Sequence, residues 1–140
     1  MTVINFHFQA TCTLRDRNRL RDMIRTTFKK HKVSFTALNI IFCSDEYLLN
    51  INRAYLKHDY YTDIITFNLG EGEAEIYISI DRVRENAKAE SASFNNELHR
   101  IIFHGVLHLC GFADKTASAK TEMTRQENRL LNQYFVSRET

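Results

Sequence analysis

The chain has 140 residues, of which 44% are hydrophobic and 26% are charged, as in an ordinary globular protein. A formal net charge of +2 is too small to identify a nucleic-acid-binding protein by itself, and no apolar run approaches the roughly 20 residues of a membrane span. The length predicts a single domain over residues 1–140.

The first half of the chain predicts two strands, each followed by a helix. Alternating apolar residues are typical of the strands, and apolar residues at helical spacing are typical of the helices. Thr13 is the expected N-cap of the first helix and Ser44 that of the second. The expected bounds are residues 3–8 and 36–43 for the strands, and residues 14–31 and 45–56 for the helices.

The second half predicts a hairpin followed by three helices. The segment Thr62–Phe67 is rich in β-forming residues, Gly70 and Gly72 mark a turn, and residues 75–80 form the returning strand. Helical patterns then occupy residues 81–91, 95–110 and 118–136. The order β-α-β-α-β-β-α-α-α predicts an α+β fold, a mixed α/β layer in which helices pack on a small mixed sheet of about four strands.

The cysteines and the first residues concern the cellular compartment. Cys12, Cys43 and Cys110 are an odd number and follow no disulfide or metal-ligand spacing, which predicts reduced thiols. The first eight residues lack the basic segment and the continuous apolar core of a signal peptide. We therefore expect a cytoplasmic protein that does not associate with membranes.

The segment from His104 to Asp114 contains the strongest functional pattern. His104 and His108 are four residues apart, which places both imidazoles on one face of a helix, and Asp114 follows six residues later. The frame resembles the zinc site of metalloproteases, but Gly105 stands where those enzymes carry the glutamate that acts as general base. The pattern therefore predicts a metal hydrolase whose substrate is not a peptide.

The surroundings of the two histidines favour metal ligation over ordinary core packing. The helix is apolar nearly all round, and an unsatisfied buried imidazole costs about 1–3 kcal/mol, which one shared metal ion would remove for both. Gly111 is the expected left-handed residue that ends the helix, so that Asp114 returns as third ligand. Three protein ligands leave a position open for chemistry. Gly105 is expected to let a ligand or substrate approach the helix backbone.

Basic and aromatic residues offer weaker signals of RNA contact. Four basic residues recur every fourth position along the first predicted helix, where a polyanion would relieve their repulsion, although a solvated charged face explains them equally well. Three tyrosines near the middle of the chain are candidates for stacking on unpaired bases or for half-buried packing. These residues are Arg17, Arg21, Arg25 and Lys29, and Tyr55, Tyr60 and Tyr61.

The histidine segment resembles the signature H-G-x-L-H-L-x-G-x-D-H of the YbeY family of rRNA-maturation endoribonucleases. Upstream, Asn52–Tyr55, Thr62–Phe67 and Ala74–Ile76 are similar to the family's N-x-x-Y, T-D-V-L-S-F and G-D-I segments, so the resemblance covers residues 36–136. It implies a zinc-dependent endoribonuclease with one Zn²⁺ per chain. It further implies cleavage of single-stranded RNA in 16S rRNA 3′-end maturation and ribosome quality control, with rRNA and ribosomal particles as partners.

Two positions depart from the family pattern. Asp114 stands where the family has its third histidine ligand, so the implied metal set is His104, His108 and Asp114, through which catalysis would act. Leu56 stands where the family has an arginine implicated in RNA handling. The residues expected to replace that arginine in substrate binding are Arg53, Lys57 and His58.

Two other functions remain open from the sequence. One is a metalloprotease-like hydrolase, in which Glu75 would approach the metal from a neighbouring strand to serve as base. The other is a non-catalytic RNA-binding factor of ribosome assembly that holds a structural metal. Retention of an open coordination position favours an enzyme over this second alternative.

Overall fold

Residues 1–136, which the computed structural model describes, form an alternating series of strands and helices in the predicted order. A short π-helical segment, Asn52–Leu56, follows the second helix directly. The strands are β1 (Val3–Phe8), β2 (Ala37–Cys43), β3 (Ile64–Gly70) and β4 (Glu73–Ser79). The helices are α1 (Arg17–Lys30), α2 (Asp45–Ile51), α3 (Ile80–Ala89), α4 (Phe94–Leu109) and α5 (Ala117–Val136).

The four strands form one mixed sheet in the order β1-β2-β4-β3. The first three of these run parallel, and β3 pairs antiparallel with β4 through the hairpin that the glycine turn predicted. The predicted α+β class and the mixed sheet of four strands are therefore confirmed. Because β3 forms one edge, the residues that lead into it lie at the border of the sheet, where a cleft can open.

Helix α4 occupies the centre of the molecule. It packs on strands β3 and β4 and against helices α1, α3 and α5, so that most of its side chains are buried. The sheet face beneath it is formed by alternate apolar residues of the strands, which join the helices in one hydrophobic core. These strand residues include Ile4, Leu38, Ile40, Phe42, Ala74, Ile76 and Ile78.

The opposite face of the sheet is only partly covered. Helix α2 packs there and encloses a small cluster of Cys43, Leu48 and Ile65. Beyond this cluster the face carries polar side chains, such as His7 and Asn39, whose Nε2 and Oδ1 atoms are 2.9 Å apart. This face of the sheet is therefore more polar than the face beneath α4.

Of the two N-caps predicted for α1 and α2, the one for α2 is correct and the one for α1 is wrong. The Ser44 hydroxyl accepts a hydrogen bond from the backbone N–H of Tyr47 and begins α2 as predicted. The N-cap predicted at Thr13 is wrong, since α1 begins at Arg17 after Asp16, whose φ of 52° is left-handed. The helix predicted over residues 45–56 is α-helical only to Ile51 and then widens into the π-helical segment.

Two arginines of α1 bind backbone carbonyls at the edge strand β1. The Nε–H groups of Arg21 and Arg25 donate to the backbone oxygens of Ile4 (2.8 Å) and Thr2 (2.9 Å), and Arg21 also lies over the ring of Phe6. These contacts satisfy carbonyls along β1 that would otherwise be open for pairing with another strand. They give Arg21 and Arg25 a structural role that neither the polyanion nor the solvated-face explanation of the basic series included.

Gly105 faces the sheet, so the expectation that it opens the helix backbone to a substrate is wrong. A Cβ atom built at Gly105 would lie 2.9 Å from Cδ1 of Ile76 and 3.0 Å from Cδ1 of Ile64. The glycine therefore permits α4 to approach β3 and β4 closely. A glutamate at this position would enter the helix–sheet contact instead of the metal site.

Enlarging residue 105 is expected to lower stability in proportion to the added volume. Gly105→Val should reduce the free energy of unfolding by about 1–3 kcal/mol through overpacking against Ile76 and Ile64, as measured by urea denaturation. Gly105→Ala is the matched control, because the gain in helix propensity of about 1 kcal/mol offsets a milder contact. Equal stability of the glycine and valine forms would contradict the packing assigned here.

Candidate metal centre

Helix α4 brings two imidazoles together because its histidines are one turn apart. The helix begins at Ser93, whose hydroxyl accepts from the backbone N–H of Asn96 (3.0 Å), and runs without interruption to Leu109. His104 and His108 line a cleft together with residues of β3, and their side chains are 22% and 28% exposed. Their Nε2 atoms are 3.0 Å apart.

The end of α4 returns the chain towards these histidines. Gly111 has a φ of 101°, its N–H donates to the carbonyl of His108, and the N–H of Phe112 donates to the carbonyl of Leu107 (both 3.0 Å). This pair of bonds is a Schellman motif, which confirms the predicted helix-ending role of Gly111. The reversal places Oδ2 of Asp114 3.3 Å from Nε2 of both histidines.

The three ligand atoms fit a tetrahedral metal ion. Bonds of about 2.0–2.1 Å to zinc place tetrahedral ligand atoms roughly 3.3 Å apart, close to the observed separations of 3.0 to 3.3 Å. His104, His108 and Asp114 also form a group of residues able to hold a metal ion in the described part of the chain. The structure thus brings all three predicted ligand residues together, while their binding of a metal stays a prediction.

Both histidines are held with Nε2 turned towards the shared centre. Nδ1 of His104 lies 2.6 Å from Oε2 of Glu127 on α5, and Nδ1 of His108 lies 2.8 Å from the backbone oxygen of Phe112. These acceptors require a proton on each Nδ1, which leaves both Nε2 lone pairs facing each other. A proton or a metal cation between them relieves this repulsion, so the arrangement suits a cation.

Glu127 is a residue of the candidate site that sequence analysis missed. Its carboxylate binds His104 through one oxygen and accepts from Nη1 of Arg100 through the other at 3.1 Å. Burial lowers the pKa of His104, but the hydrogen bond and charge of Glu127, with the charges of Asp114 and Asp63, raise that pKa above its ordinary value. The imidazole is therefore a more basic ligand than an isolated histidine.

A cleft of about 640 Å³ opens over the three ligand residues. Asp63, at the entrance to β3, is the other carboxylate on its described wall. Burial raises the pKa of Asp63, which the charge of His104 and a hydrogen bond from Asn86 (3.3 Å) only partly offset. The cleft is lined by Asn52, Leu56, His58, Tyr60, Thr62, Asp63, Ile64, Ile65, Thr66, Asn68, His104, His108, Leu109, Asp114 and Lys115.

The predicted substrate-binding residues are placed unequally around this cleft. His58 lines it, whereas Arg53 and Lys57 are outside its described lining, and Arg53 forms an ion pair with Asp59. Lys115 is a cleft cation that sequence analysis did not select. Lys115 directly follows Asp114, and its position next to a predicted ligand residue could have identified it from the sequence.

Glu75 does not approach the metal centre. It precedes Ile76, whose side chain meets α4, so the alternation of β4 places Glu75 on the opposite face of the sheet. There its carboxylate accepts from the hydroxyl of Tyr77 (3.1 Å). The suggestion that Glu75 could act as a base at the metal is therefore wrong.

Two further observations concern the helices and the cysteines. In residues 1–136, no helix combines the length and apolar character needed to cross a membrane. Cys12, Cys43 and Cys110 are free cysteines, of which Cys43 is buried. Burial raises the pKa of Cys43 to about 12 and that of Cys110 to about 11, so both are protonated at neutral pH.

A family model and similar curated proteins carry the same description. A family model described as Endoribonuclease YbeY matches residues 5–135. Proteins of that name from Cytophaga hutchinsonii and Porphyromonas gingivalis are 47% and 38% identical over 135 residues, covering 94% of this chain and 94% and 89% of their own lengths. The solution structure of TM1509 from Thermotoga maritima is similar with a TM-score of 0.62 and 25% identity, covering 99% of this chain and 92% of the other.

Removing the charge of Glu127 is expected to change how metal affinity depends on pH. Protons compete with the metal for His104, so affinity for Zn²⁺ rises with pH and levels off above the raised pKa of His104. In Glu127→Gln that pKa falls, so the plateau starts at a lower pH. The plateau affinity falls by about 10- to 100-fold because the ligand is less basic. Competition with a chromophoric chelator across the titration range of histidine measures both effects.

Glu122→Gln supplies the matched control on the same helix. Glu122 is bound to Arg125 and Gln126 and does not touch the histidines, so its variant should keep the wild-type affinity and pH profile. If Glu127→Gln and the wild type showed the same dependence of Zn²⁺ affinity on pH, Glu127 would have no role in tuning the metal site.

Proposed function

The chain belongs to the YbeY family of endoribonucleases, and on this premise we propose that it cleaves single-stranded RNA in rRNA processing with a bound metal ion. The observation that carries the proposal is the group of His104, His108 and Asp114 at the base of an open cleft. We assign the activity to a single cytoplasmic domain over residues 1–140. Its proposed task is 16S rRNA 3′-end maturation and ribosome quality control on ribosomal particles.

We propose one Zn²⁺ per chain as the metal. Two neutral imidazoles and one carboxylate are a ligand set that zinc accepts, and their spacing matches its tetrahedral bond lengths. When bound, the ion supplies a Lewis acid that stabilises the negative charge developing on phosphoryl oxygens. The protein holds both Nε2 atoms in place through Glu127 and the carbonyl of Phe112.

Asp63 is the candidate proton-transfer residue. Cleavage of a phosphodiester requires removal of a proton from the attacking hydroxyl or water and delivery of one to the leaving oxygen. Asp114 is committed to the ligand group, whereas the carboxylate of Asp63 is held on the cleft wall by Asn86. Its raised pKa brings it closer to neutral pH than an exposed aspartate.

The alternatives receive less support from the geometry. Metalloproteases with this histidine spacing carry their glutamate directly after the first histidine, but here that position is Gly105, which faces the sheet, and Glu75 lies on the opposite face of the sheet. A purely structural metal site is normally closed by four protein ligands. Here three ligand residues remain between 22% and 37% exposed at their side chains and border a cleft, which favours catalysis.

Metal removal is expected to abolish RNA cleavage. Metal-loaded protein should cleave single-stranded RNA and leave casein intact. Chelator-treated protein and the His104→Ala, His108→Ala double variant should lose about 100-fold or more of the rate, because the Lewis acid is gone. Asp114→His should retain cleavage, since it restores a nitrogen ligand of the family type. Gel analysis of labelled RNA gives the rates, and product end groups distinguish 2′-hydroxyl attack from water attack.

Each function has its own outcome in this assay. RNA cleavage by the double variant would overturn the metal mechanism. Absence of cleavage by metal-loaded wild type, with RNA binding intact, would favour the assembly-factor alternative. Cleavage of casein by the metal-loaded protein would support the metalloprotease-like alternative.

Replacing Asp63 is expected to slow the chemical step. Asp63→Asn keeps the shape and the backbone contacts and should reduce kcat by about 100-fold or more, the usual range for loss of an acid–base group. Single-turnover cleavage at saturating RNA measures the step directly. Asp59→Asn is the control, because Asp59 pairs with Arg53 outside the described cleft lining. A kcat for Asp63→Asn within a few-fold of wild type would exclude the role.

A further inference from the structure

Exposed apolar side chains are concentrated beside the metal cleft. Ten large hydrophobic residues are exposed in the described chain, and four of them fall between residues 55 and 61. Soluble proteins seldom gather such residues on the surface unless the patch contacts something. The four are Tyr55 (70% exposed), Leu56 (40%), Tyr60 (56%) and Tyr61 (45%).

The segment carrying these residues is held firmly by Asn52. This asparagine is only 1% exposed, its side-chain amide donates to the carbonyl of Tyr60 (2.8 Å), and its backbone oxygen accepts from the N–H of His58 (3.1 Å). Lys57, between these anchors, adopts a left-handed φ of 56° that turns the chain. The aromatic surface is therefore built on a fixed loop.

Only one of the tyrosine rings is presented to the cleft. Tyr60 and His58 line the cleft as a stacked pair, with ring centroids 5.1 Å apart, an interplanar angle of 19° and a 2.9 Å contact between the Tyr60 hydroxyl and Nδ1 of His58. Tyr61 is engaged elsewhere, since its hydroxyl donates to Glu46 (2.6 Å) and Arg82 lies over its ring. Tyr55 packs edge-on against Phe67.

We propose that the ring of Tyr60, backed by His58 and flanked by Leu56, is a stacking platform for one unpaired nucleobase of the RNA substrate. The inference rests on the proposed endoribonuclease function and deepens it. The platform shares the cleft with His104, so the base it holds belongs to the part of the strand that is bound in the same cleft as the cleaved bond. Lys115 on the cleft wall and Lys57 on the loop supply positive charge for the adjoining phosphates.

Such a platform selects single-stranded RNA on physical grounds. A base inside a duplex has both faces covered by its neighbours, so it can reach Tyr60 only after it is unstacked and unpaired. An unpaired base offers a free face at little cost, and every base has one, which makes the contact tolerant of sequence. Leu56, which also lines the cleft, contributes apolar surface.

The test compares three variants of the metal-loaded protein in binding and in cleavage. Fluorescence anisotropy with labelled single-stranded DNA of the substrate sequence measures binding to a strand that keeps the bases. Tyr60→Ala should weaken binding by roughly 5- to 100-fold and raise KM for RNA with little change in kcat. Tyr60→Phe retains the ring and should bind within about 2-fold of wild type. Tyr61→Ala, similarly exposed but engaged elsewhere, should also match wild type.

Abasic substitution identifies the base that is held. Removing one base at the correct position should reproduce the loss in the wild type and add nothing in Tyr60→Ala. Equal losses for Tyr60→Ala and Tyr61→Ala, or undiminished binding by Tyr60→Ala, would overturn the platform. Absence of RNA cleavage by the wild type, with the Tyr60 effect on binding preserved, would instead overturn the nuclease function and leave the platform standing.

Discussion

The arrangement that governs this structure is the pair of imidazole nitrogens held 3.0 Å apart on a central, largely buried helix. Both Nδ1 atoms face acceptors, so both Nε2 lone pairs point into one small space. Such an arrangement repels itself unless a cation lies between the rings. Neighbouring elements contact the imidazoles through Nδ1, and the cleft leaves their Nε2 side accessible to solvent.

Support for the imidazole pair comes from parts of the chain that are distant in sequence. Helix α5 supplies Glu127, which is oriented in turn by Arg100, so that helices α4 and α5 are joined by charge as well as by packing. Close contact of α4 with the sheet at Gly105 sets the height of the histidines above β3. The candidate metal centre is therefore in contact with the core, so a substitution that changes core packing is expected to shift the histidines even when it replaces no ligand residue.

The cleft is assembled from two sides with different tasks. Helix α4 and the turn after it carry the ligand residues and Lys115, while the segment between Asn52 and Ile64 carries Asp63 and the ring of Tyr60. The buried Asn52 ties that segment to the π-helical turn, and Asn86 holds Asp63 from helix α3. The groups proposed for charge stabilisation, proton transfer and base binding thereby lie on separate elements that face one cleft.

The sequence by itself determined the features that depend on local spacing. Periods of two and of about 3.6 residues identified the strands and helices, the i, i+4 histidines lay on one helix face, and Gly111 ended that helix as predicted. Where local signals competed, they failed. Helix α1 begins at Arg17 and not at Leu14 as predicted, because Asp16 adopts a left-handed conformation that no pattern signalled.

Tertiary structure alone decided the partners and the directions of side chains. Glu127 follows His104 by 23 residues, and the β3–β4 hairpin and helix α3 separate Tyr60 and Asp63 from helix α4. Their spacing in the sequence therefore did not show that these residues line or support one site. The predictions for Gly105 and Glu75 were wrong because the sequence does not show which side of a helix or of a sheet packs against its neighbours. Spacing within one helix is set by its backbone geometry, whereas contacts between elements depend on how the whole core packs.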